Sequence, residues 1–325
     1  MISKMFVAIL VAVSPGALWS SDQAAAKNLL DSARKQAAAI WDSSDRPFLM
    51  DVDFTVVQSG TPVKGHLRIR YQAKDLWWRR ASIGKFEEIE FQKGEQTYKL
   101  RNADATPKRL WELLDLFHIR VNYGELVVEG EKQRVERGVS VDCVKARNPE
   151  SGKAHIEICI DASTHDVVSE TQKVIGYDKD FVQRRQFGGF AEFRGHRLPH
   201  KMELTKDGQA LISANVTDLQ ESPLDTKLLE PPPGAIERRE CANMKGPKEI
   251  SYPMPELHPQ PREKLHLEAE VTVMTDGSVS KVGIAERPVG PQAELFIEAL
   301  KKWKFRPAMC GSEPIVSEVY ESFDF

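Results

Sequence analysis

Four cysteines, Cys143, Cys159, Cys241 and Cys310, are the residues of this 325-residue chain best suited to covalent chemistry. No two have the C-x-x-C spacing of a redox pair or metal knuckle. An even number, in a chain whose first residues read as an export signal, points to disulfides. Cys143 lies in the apolar-rich run 139–146 and Cys159 in 156–160, with the turn-forming stretch Asn148, Pro149, Glu150, Ser151, Gly152 between them. A turn centred on Ser151 sets Cys143 opposite Cys159 on antiparallel strands, at a separation a disulfide spans. That leaves Cys241 for Cys310, closing a loop of about 70 residues that would restrict the unfolded chain of a small domain. Four separate buried thiols are the alternative.

Other chemistry is sparse. Of eight histidines only His196 and His200 are close, and four apart on a strand-like segment they do not form a helical metal pair. Asp22, Asp51 and Asp53 offer no partnered carboxylate site by their spacing. The chain lacks a G-x-S-x-G elbow, an H-E-x-x-H pair, a P-loop and a dinucleotide fingerprint. The expectation is a non-catalytic protein with no metal and no cofactor; a hydrolase would need a clustered acid and base that the spacing does not reveal.

The elements that must carry these residues begin after the export signal. Lys4 is its basic end, residues 5–13 are unbroken apolar, and Pro15-Gly16 breaks the helix before Ala17 to Ser21. Cleavage is expected after Ser20 or Ser21, giving residues 1–21 as signal peptide, a periplasmic location and no stable membrane span in the mature chain. The apolar run is short of the roughly 20 residues a spanning helix needs; a short uncleaved anchor is the alternative. No cysteine follows the run, so lipid modification is not indicated. A charged fraction of 29% with net charge -3 leaves no polyanion-binding surface, so nucleic acid is not an expected partner.

At this length two domains are expected. Residues 22–40 form an alanine-rich amphipathic helix, with Leu29, Leu30, Ala33, Ala37 and Ile40 at helical spacing. From Phe48 onward apolar residues alternate: Phe48, Met50, Val52, Phe54 and Val56, then Val63, Gly65, Leu67, Ile69 and Tyr71 against Lys64, His66, Arg68 and Arg70. This is a half-buried antiparallel hairpin. Further strands are expected at 76–80, 85–91, 96–101, 139–146, 154–160, 167–175, 183–193, 198–204 and 210–219. Their charged rows read as a solvated outer face, pairing across strands with Glu87, Glu88 and Glu90. Between them Thr106 caps a helix opened by Pro107, with Leu110, Leu113, Leu114 and Phe117 on its apolar face. Pro231, Pro232 and Pro233 stiffen a connector at 230–244. Beyond it Leu267, Ala269, Val271 and Val273 alternate, Asp276-Gly277 predicts a two-residue type I′ turn, and 279–284 returns. A helix from Pro291 turns Leu295, Phe296, Ala299, Leu300 and Trp303 inward, and 315–325 closes as a strand.

That order, with Tyr252-Pro253, the Asp276-Gly277 turn, the stretch Ala299 to Pro307 and a final aromatic strand, resembles the TonB C-terminal domain across residues 245–325. The resemblance implies capture of an extended peptide from an envelope or outer-membrane protein by strand addition along Ile315, Val316, Ser317, Glu318, Val319 and Tyr320, flanked by Tyr252 and Pro253. An edge that is simply capped, or that pairs with a second copy, is the alternative. The short signal and the three consecutive prolines lack the anchor and long spacer of an energy transducer, so the domain reads as a docking module.

Residues 22–229 form the other domain. It resembles, through its N-terminal helix, long strands, mid-chain helix and the stretch Gly195 to Pro199, the LolA-like periplasmic lipoprotein-carrier half-barrel. That resemblance implies an apolar, lipid-sized cavity lined by Phe48, Met50, Phe54, Leu67, Trp77, Leu113 and Phe117; otherwise these are ordinary core. The expected fold class is α+β, a curved antiparallel half-barrel with helices followed by a small β-β-α-β domain. The expected function is protein docking through the second domain, with carriage of a lipid or other apolar ligand by the first as the rival.

Overall fold

Period-two alternation builds the sheet that dominates the molecule, and helices cover its apolar rows. The computed structural model describes residues 23–42, 47–117, 126–147, 155–174, 180–241, 243–254, 266–286 and 291–324. The expected signal peptide, Asp22 and the turn at 148–152 lie outside them. Helix α1 (Gln23–Asp42) leads into β1 (Phe48–Gln58), β2 (Thr61–Ala73), β3 (Leu76–Ile83), β4 (Phe86–Lys93) and β5 (Gln96–Arg101). Helix α2 (Lys108–Phe117) follows, then β6 (Val127–Glu136), β7 (Val139–Arg147), β8 (His155–Asp161) and β9 (Val167–Val174). Next come β10 (Phe181–Gly188), the small hairpin of β11 (Ala191–Phe193) and β12 (His196–Leu198), then β13 (Lys201–Lys206) and β14 (Gln209–Glu221). A strand within the expected connector, β15 (Ile236–Arg239), returns to pair with β5. The large antiparallel sheet runs β15-β5-β4-β3-β2-β1-β14-β13-β10-β9-β8-β7-β6.

The inward rows of β1 and β2 are the apolar ones. Phe48, Met50, Val52, Phe54 and Val56 are buried, as are Leu67, Ile69 and Tyr71. Onto this face α1 lays Ala26, Leu30, Ala33 and Ile40, and α2 lays Leu110, Leu113, Leu114, Leu116 and Phe117. Gly65 faces Phe54 in the β1–β2 register, and a Cβ there would stand 2.3 Å from the Phe54 ring. A side chain at 65 would therefore displace the central aromatic of the core.

The same face changes character toward the sheet margin. Trp77 packs toward the apolar core, and Arg79, two residues on, pairs with Glu90 of β4; Glu88 and Glu90 lie across from Arg101 and Lys99 of β5. Glu88, Glu90, Lys99 and Thr97 are all buried. The expectation of a solvated charged face is thus corrected for the row of Glu88 and Glu90, whereas Lys64 and Arg68 of β2 are exposed and Glu87 pairs with Arg80 in the open at 3.0 Å. The opposite face of β3 to β5 holds the apolar side chains, where Trp78 and Phe91 pack with Leu224 and Leu229. Alternation alone does not say which of two faces turns inward.

The last part of the chain is a smaller unit. Short strands β16 (Met244–Lys245) and β17 (Lys248–Ser251) precede β18 (His266–Val273), β19 (Val279–Glu286) and α3 (Pro291–Leu300). After α3 come β20 (Lys304–Arg306), β21 (Ala308–Cys310), β22 (Glu313–Ile315) and β23 (Ser317–Asp324). The principal sheet runs β19-β18-β23, with β23 at one edge. Its apolar face, Leu267, Ala269, Val271 and Val273, packs on Phe296, Leu300, Trp303 and Phe305. The expected β-β-α-β order is present. The turn differs: Gly277 N–H donates to Met274 O at 2.9 Å and Gly277 alone has positive φ, +78°. Asp276 is not left-handed, so this is a tight turn ended by a left-handed glycine, not the two-residue type I′ turn.

Both disulfides pair as derived. Cys143 stands directly opposite Cys159 on β7 and β8, and Cys241, just past β15, joins Cys310 of β21.

Candidate functional site

One cleft combines an apolar lining with converging polar groups. It lies between α1, β1, the last turn of α2 and the β11–β12 hairpin. Ala33, Ala37, Ile40 and Trp41 of α1 form one wall, Met50, Leu116 and Phe117 another, and Val167, Phe190, Leu198, Pro199 and Met202 the remainder. Its volume is about 40 Å³. That is room for a water molecule and well short of the roughly 300–1,000 Å³ of sites that engulf small ligands.

The polar end is built around Asp166, whose side chain is 2% exposed. One oxygen accepts from Gln36 Nε2 of α1 at 2.6 Å, and the other from Arg197 Nε of β12 at 2.8 Å and Thr164 Oγ1 at 2.8 Å. Asp166 therefore ties the middle of α1 to the β11–β12 hairpin across the cleft. At the C-terminal end of α1, Tyr71 O–H donates to the Trp41 carbonyl, and the Trp41 ring stands edge-on to Phe48 and Tyr71.

Of the expected cavity residues, Met50 and Phe117 line the cleft. Phe48, Phe54, Leu67 and Leu113 are core residues with no share in its wall, and Trp77 is partly buried and donates to Gln92 at 2.9 Å. Most of the wall comes from α1 and from residues 190–202. Alanines at helical spacing on residues 22–40 were the available signal for the first; nothing in the local sequence marks the second.

The expected docking edge is placed differently from its reading as a free strand. Ile315 belongs to β22 and is buried, and Val316 separates it from β23. Ser317 is buried, Val319 packs on the core of the small unit, and the Glu318 side chain is 4% exposed within a charged seam. Tyr252 packs edge-on to Trp303, and the Pro253 carbonyl accepts from Trp303 Nε1 at 3.2 Å.

That seam joins the small unit to the charged margin of the large sheet. Lys99 Nζ lies 2.7 Å from Glu318 and 3.5 Å from Glu270 of β18, and Arg101 lies 2.7 Å from Glu270 and 3.2 Å from Glu318. Arg238 of β15 pairs with Glu318 at 3.0 Å and also with Glu90, which Arg79 engages too. Burial would raise the Glu90 carboxyl, but Arg79, Lys99 and Arg238 hold it down at about 2. Burial pushes Glu270 above the ordinary carboxylate range against the pull of Lys99 and Arg101.

Beyond the seam, Glu321 of β23 faces Glu249 of β17. Partial burial, and then the Glu249 charge, push the Glu321 carboxyl up to about 7 from an ordinary 4.5. A carboxyl raised by folding stabilises the fold while protonated; the contribution is complete below 4.5 and is lost as pH climbs through 7. Wild-type melting temperature is expected to fall across that window more steeply than that of Glu321→Gln. Parallel pH profiles from calorimetry would contradict this assignment.

Two clusters resemble chemical sites and are otherwise committed. On the outer face Asp53 lies 2.9 Å from His66 Nδ1 and Asp51 3.3 Å from His66 Nε2, so the sequence expectation that these aspartates lack partners is corrected. A bidentate hydrogen bond from Arg68 keeps the Asp51 carboxyl below its usual range, aided by His66. Both ring nitrogens of His66 thus face a carboxylate. Glu136, Glu157, Cys143 and Cys159 stand close enough to share a metal, but the sulfurs are joined to each other and Arg134 pairs with both carboxylates. His196 lies in β12 and His200 beyond it, and neither joins a cluster of metal-binding side chains among the described residues. Among those residues no helix is long and apolar enough to cross a membrane.

No family model matches the chain, and no curated protein does. Among solved structures it is similar to a LolA superfamily protein from Nitrosomonas europaea, at 9% identity and a TM-score of 0.40, over 63% of this chain and 97% of that one. A DUF1329 family protein from Desulfovibrio piger is similar at 8% identity and a TM-score of 0.44, over 65% and 98%. MucB from Pseudomonas aeruginosa, in its complex with MucA, is similar at 10% identity and a TM-score of 0.27, over 92% and 93%. The TonB C-terminal resemblance rests on the sequence motifs and the strand order alone.

Proposed function

We propose that this protein is a non-catalytic carrier of the cell envelope that holds an apolar ligand, of the chemistry of an acyl chain, between α1 and the concave face of the large sheet. The observation that carries the reading is the cleft itself: an apolar wall with a single polar cluster, Gln36, Asp166 and Arg197, at one end. Such a site takes a greasy chain along its wall and a carbonyl or ester oxygen against the guanidinium. A ligand of that size requires the last turn of α2 to draw back and α1 to lift. Its buried face includes Ala26 and Ala33, side chains that bury little area and so hold the helix less strongly than leucines would. The export signal read from residues 1–21 supports a periplasmic location.

The test is loading and blocking. Protein purified without detergent and extracted with organic solvent is expected to release lipid detectable by mass spectrometry, and to bind 11-(dansylamino)undecanoic acid with an emission rise. Ala37→Trp, which fills the cleft from α1, is expected to weaken that binding about ten-fold, the scale of 1.4 kcal/mol, with little change in melting temperature. A wild-type protein that neither carries lipid nor binds the probe would end the reading.

A second reading, peptide docking by strand addition, retains one supporting observation: β23 is one of the two edge strands of its sheet and pairs with β18 alone among the described strands. Its Glu318 side chain is sequestered, so a proline there would also break the charged seam.

A further inference from the structure

Helix α2 belongs to both halves of the molecule. Its last turn, through Leu116 and Phe117, is a wall of the apolar cleft. Its entry is held by the small unit. Thr106 N–H donates to Glu270 Oε2 at 2.7 Å, so a carboxylate from β18 sits where a helix start welcomes negative charge. The Thr106 carbonyl accepts from Tyr320 O–H at 3.2 Å, and the Trp111 ring stands edge-on to Tyr320 at 5.3 Å. Lys108 of α2 pairs with Glu268. Against β19 the backbone at 104–105 approaches so closely that a Cβ on Gly283 would stand 2.3 Å from the Asp104 carbonyl carbon.

The seam that makes this grip is of a kind that can separate. It is ionic, and ions regain hydration when it opens, which offsets their lost attraction. It is also incompletely satisfied: Thr97 Oγ1 and Thr272 Oγ1 have no hydrogen-bond partner among the described residues. Buried polar atoms left so raise the free energy of the closed arrangement.

We propose that the small unit is an inhibitory clamp on ligand uptake, acting through α2. This rests on the carrier reading and specifies its regulation. An acyl chain cannot enter about 40 Å³ of space unless the walls withdraw. Withdrawal of the α2 wall pulls Thr106 and Trp111 away from Glu270 and Tyr320. Docking of the small unit and filling of the cleft therefore oppose each other, and by linkage each weakens the other by the same factor. A partner that engaged the polar face of β18 and β23 would load the carrier, and a loaded carrier would present that face.

The test uses the full chain and 11-(dansylamino)undecanoic acid. Gly283→Ala forces the seam apart, and Tyr320→Phe removes only the hydroxyl that reaches Thr106, a mild change that keeps the fold. Both are expected to bind the probe about five-fold or more tightly than wild type, with Glu298→Gln, on the exposed side of α3, unchanged. Amides 113–117 of α2 are expected to exchange hydrogen faster in the two seam variants. Equal probe affinity across the set overturns the clamp and leaves the carrier reading standing. If no form binds the probe, the carrier reading falls and the uptake clamp falls with it; where the probe binds, unchanged exchange at 113–117 in both seam variants overturns the clamp alone.

Discussion

Lys99→Met is expected to destabilise the protein by about 3–5 kcal/mol, read as a lower urea midpoint, with the loss capped where the seam opens. Lys99 is 1% exposed and stands between Glu270 and Glu318, with the Trp111 ring 5.0 Å from its ammonium. Methionine keeps the volume of the stem and removes the charge. Two carboxylates are then left facing each other in a space that water does not reach. Arg101 and Arg238 compensate only in part, because each already serves Glu270, Glu318 or Glu90.

The seam collects Glu88, Glu90, Glu270 and Glu318 against Arg79, Lys99, Arg101 and Arg238, so its formal charges cancel. Cancellation explains how so many ions are buried together without explaining net cohesion, since desolvation offsets the attraction. The double variant Lys99→Met, Glu318→Met is accordingly expected to regain most of what the single variant loses. A single-variant cost under about 1 kcal/mol would show that the pair behaves like an exposed one. The same single variant should load the dansyl probe more readily, because it loosens the unit that grips α2.

Much of this architecture was readable in advance, and the failures share a cause. The hairpin from Phe48 to Tyr71 was legible because alternation and the break near Gly60 are local signals, and helix 108–117 was legible from Pro107 and its leucine spacing, although Thr106, expected to cap it, turns its hydroxyl to Glu88 and Arg101. The Cys143–Cys159 bridge followed from register about one turn. Strand β6 was missed because Val127–Glu136 is a sheet edge carrying Glu129, Glu131, Lys132 and Arg134, a composition that reads as loop. The inward face of β4 was misassigned because Glu88 and Glu90 alternate with Ile89 and Phe91, and both rows are covered: one by Leu224 and Leu229, the other by a unit about 170 residues later, as in the link from Lys99 to Glu270. Only tertiary packing ranks two such faces. The cleft was half legible for a similar reason: Met50 and Phe117 lie on strongly patterned elements, whereas Phe190 and Leu198 reach it from around the β11–β12 hairpin and Met202 from β13, whose positions depend on the folded sheet.

Removing the long-range disulfide is expected to cost more than removing the local one. In the chain-entropy account, the Cys241–Cys310 bridge spans 69 residues and contributes about 4 kcal/mol, and Cys143–Cys159 spans 16 and contributes about 3. Paired serine substitutions, Cys241→Ser with Cys310→Ser and Cys143→Ser with Cys159→Ser, compare the two in urea. The ranking is sharpened by placement. Cys241 lies two residues past the end of β15, whose Arg238 enters the seam, and Cys310 lies in β21 of the small unit. The long bridge therefore also keeps the small unit within reach of the charged margin after the seam opens, raising its effective concentration there. Without the bridge, reclosing becomes a search by a longer tether, and amides of β5 and β15 are expected to lose hydrogen-exchange protection along with those of β18 and β23. A local loss confined to β21 and β22, with the seam strands still protected, would show that the ionic seam holds the two halves together unaided.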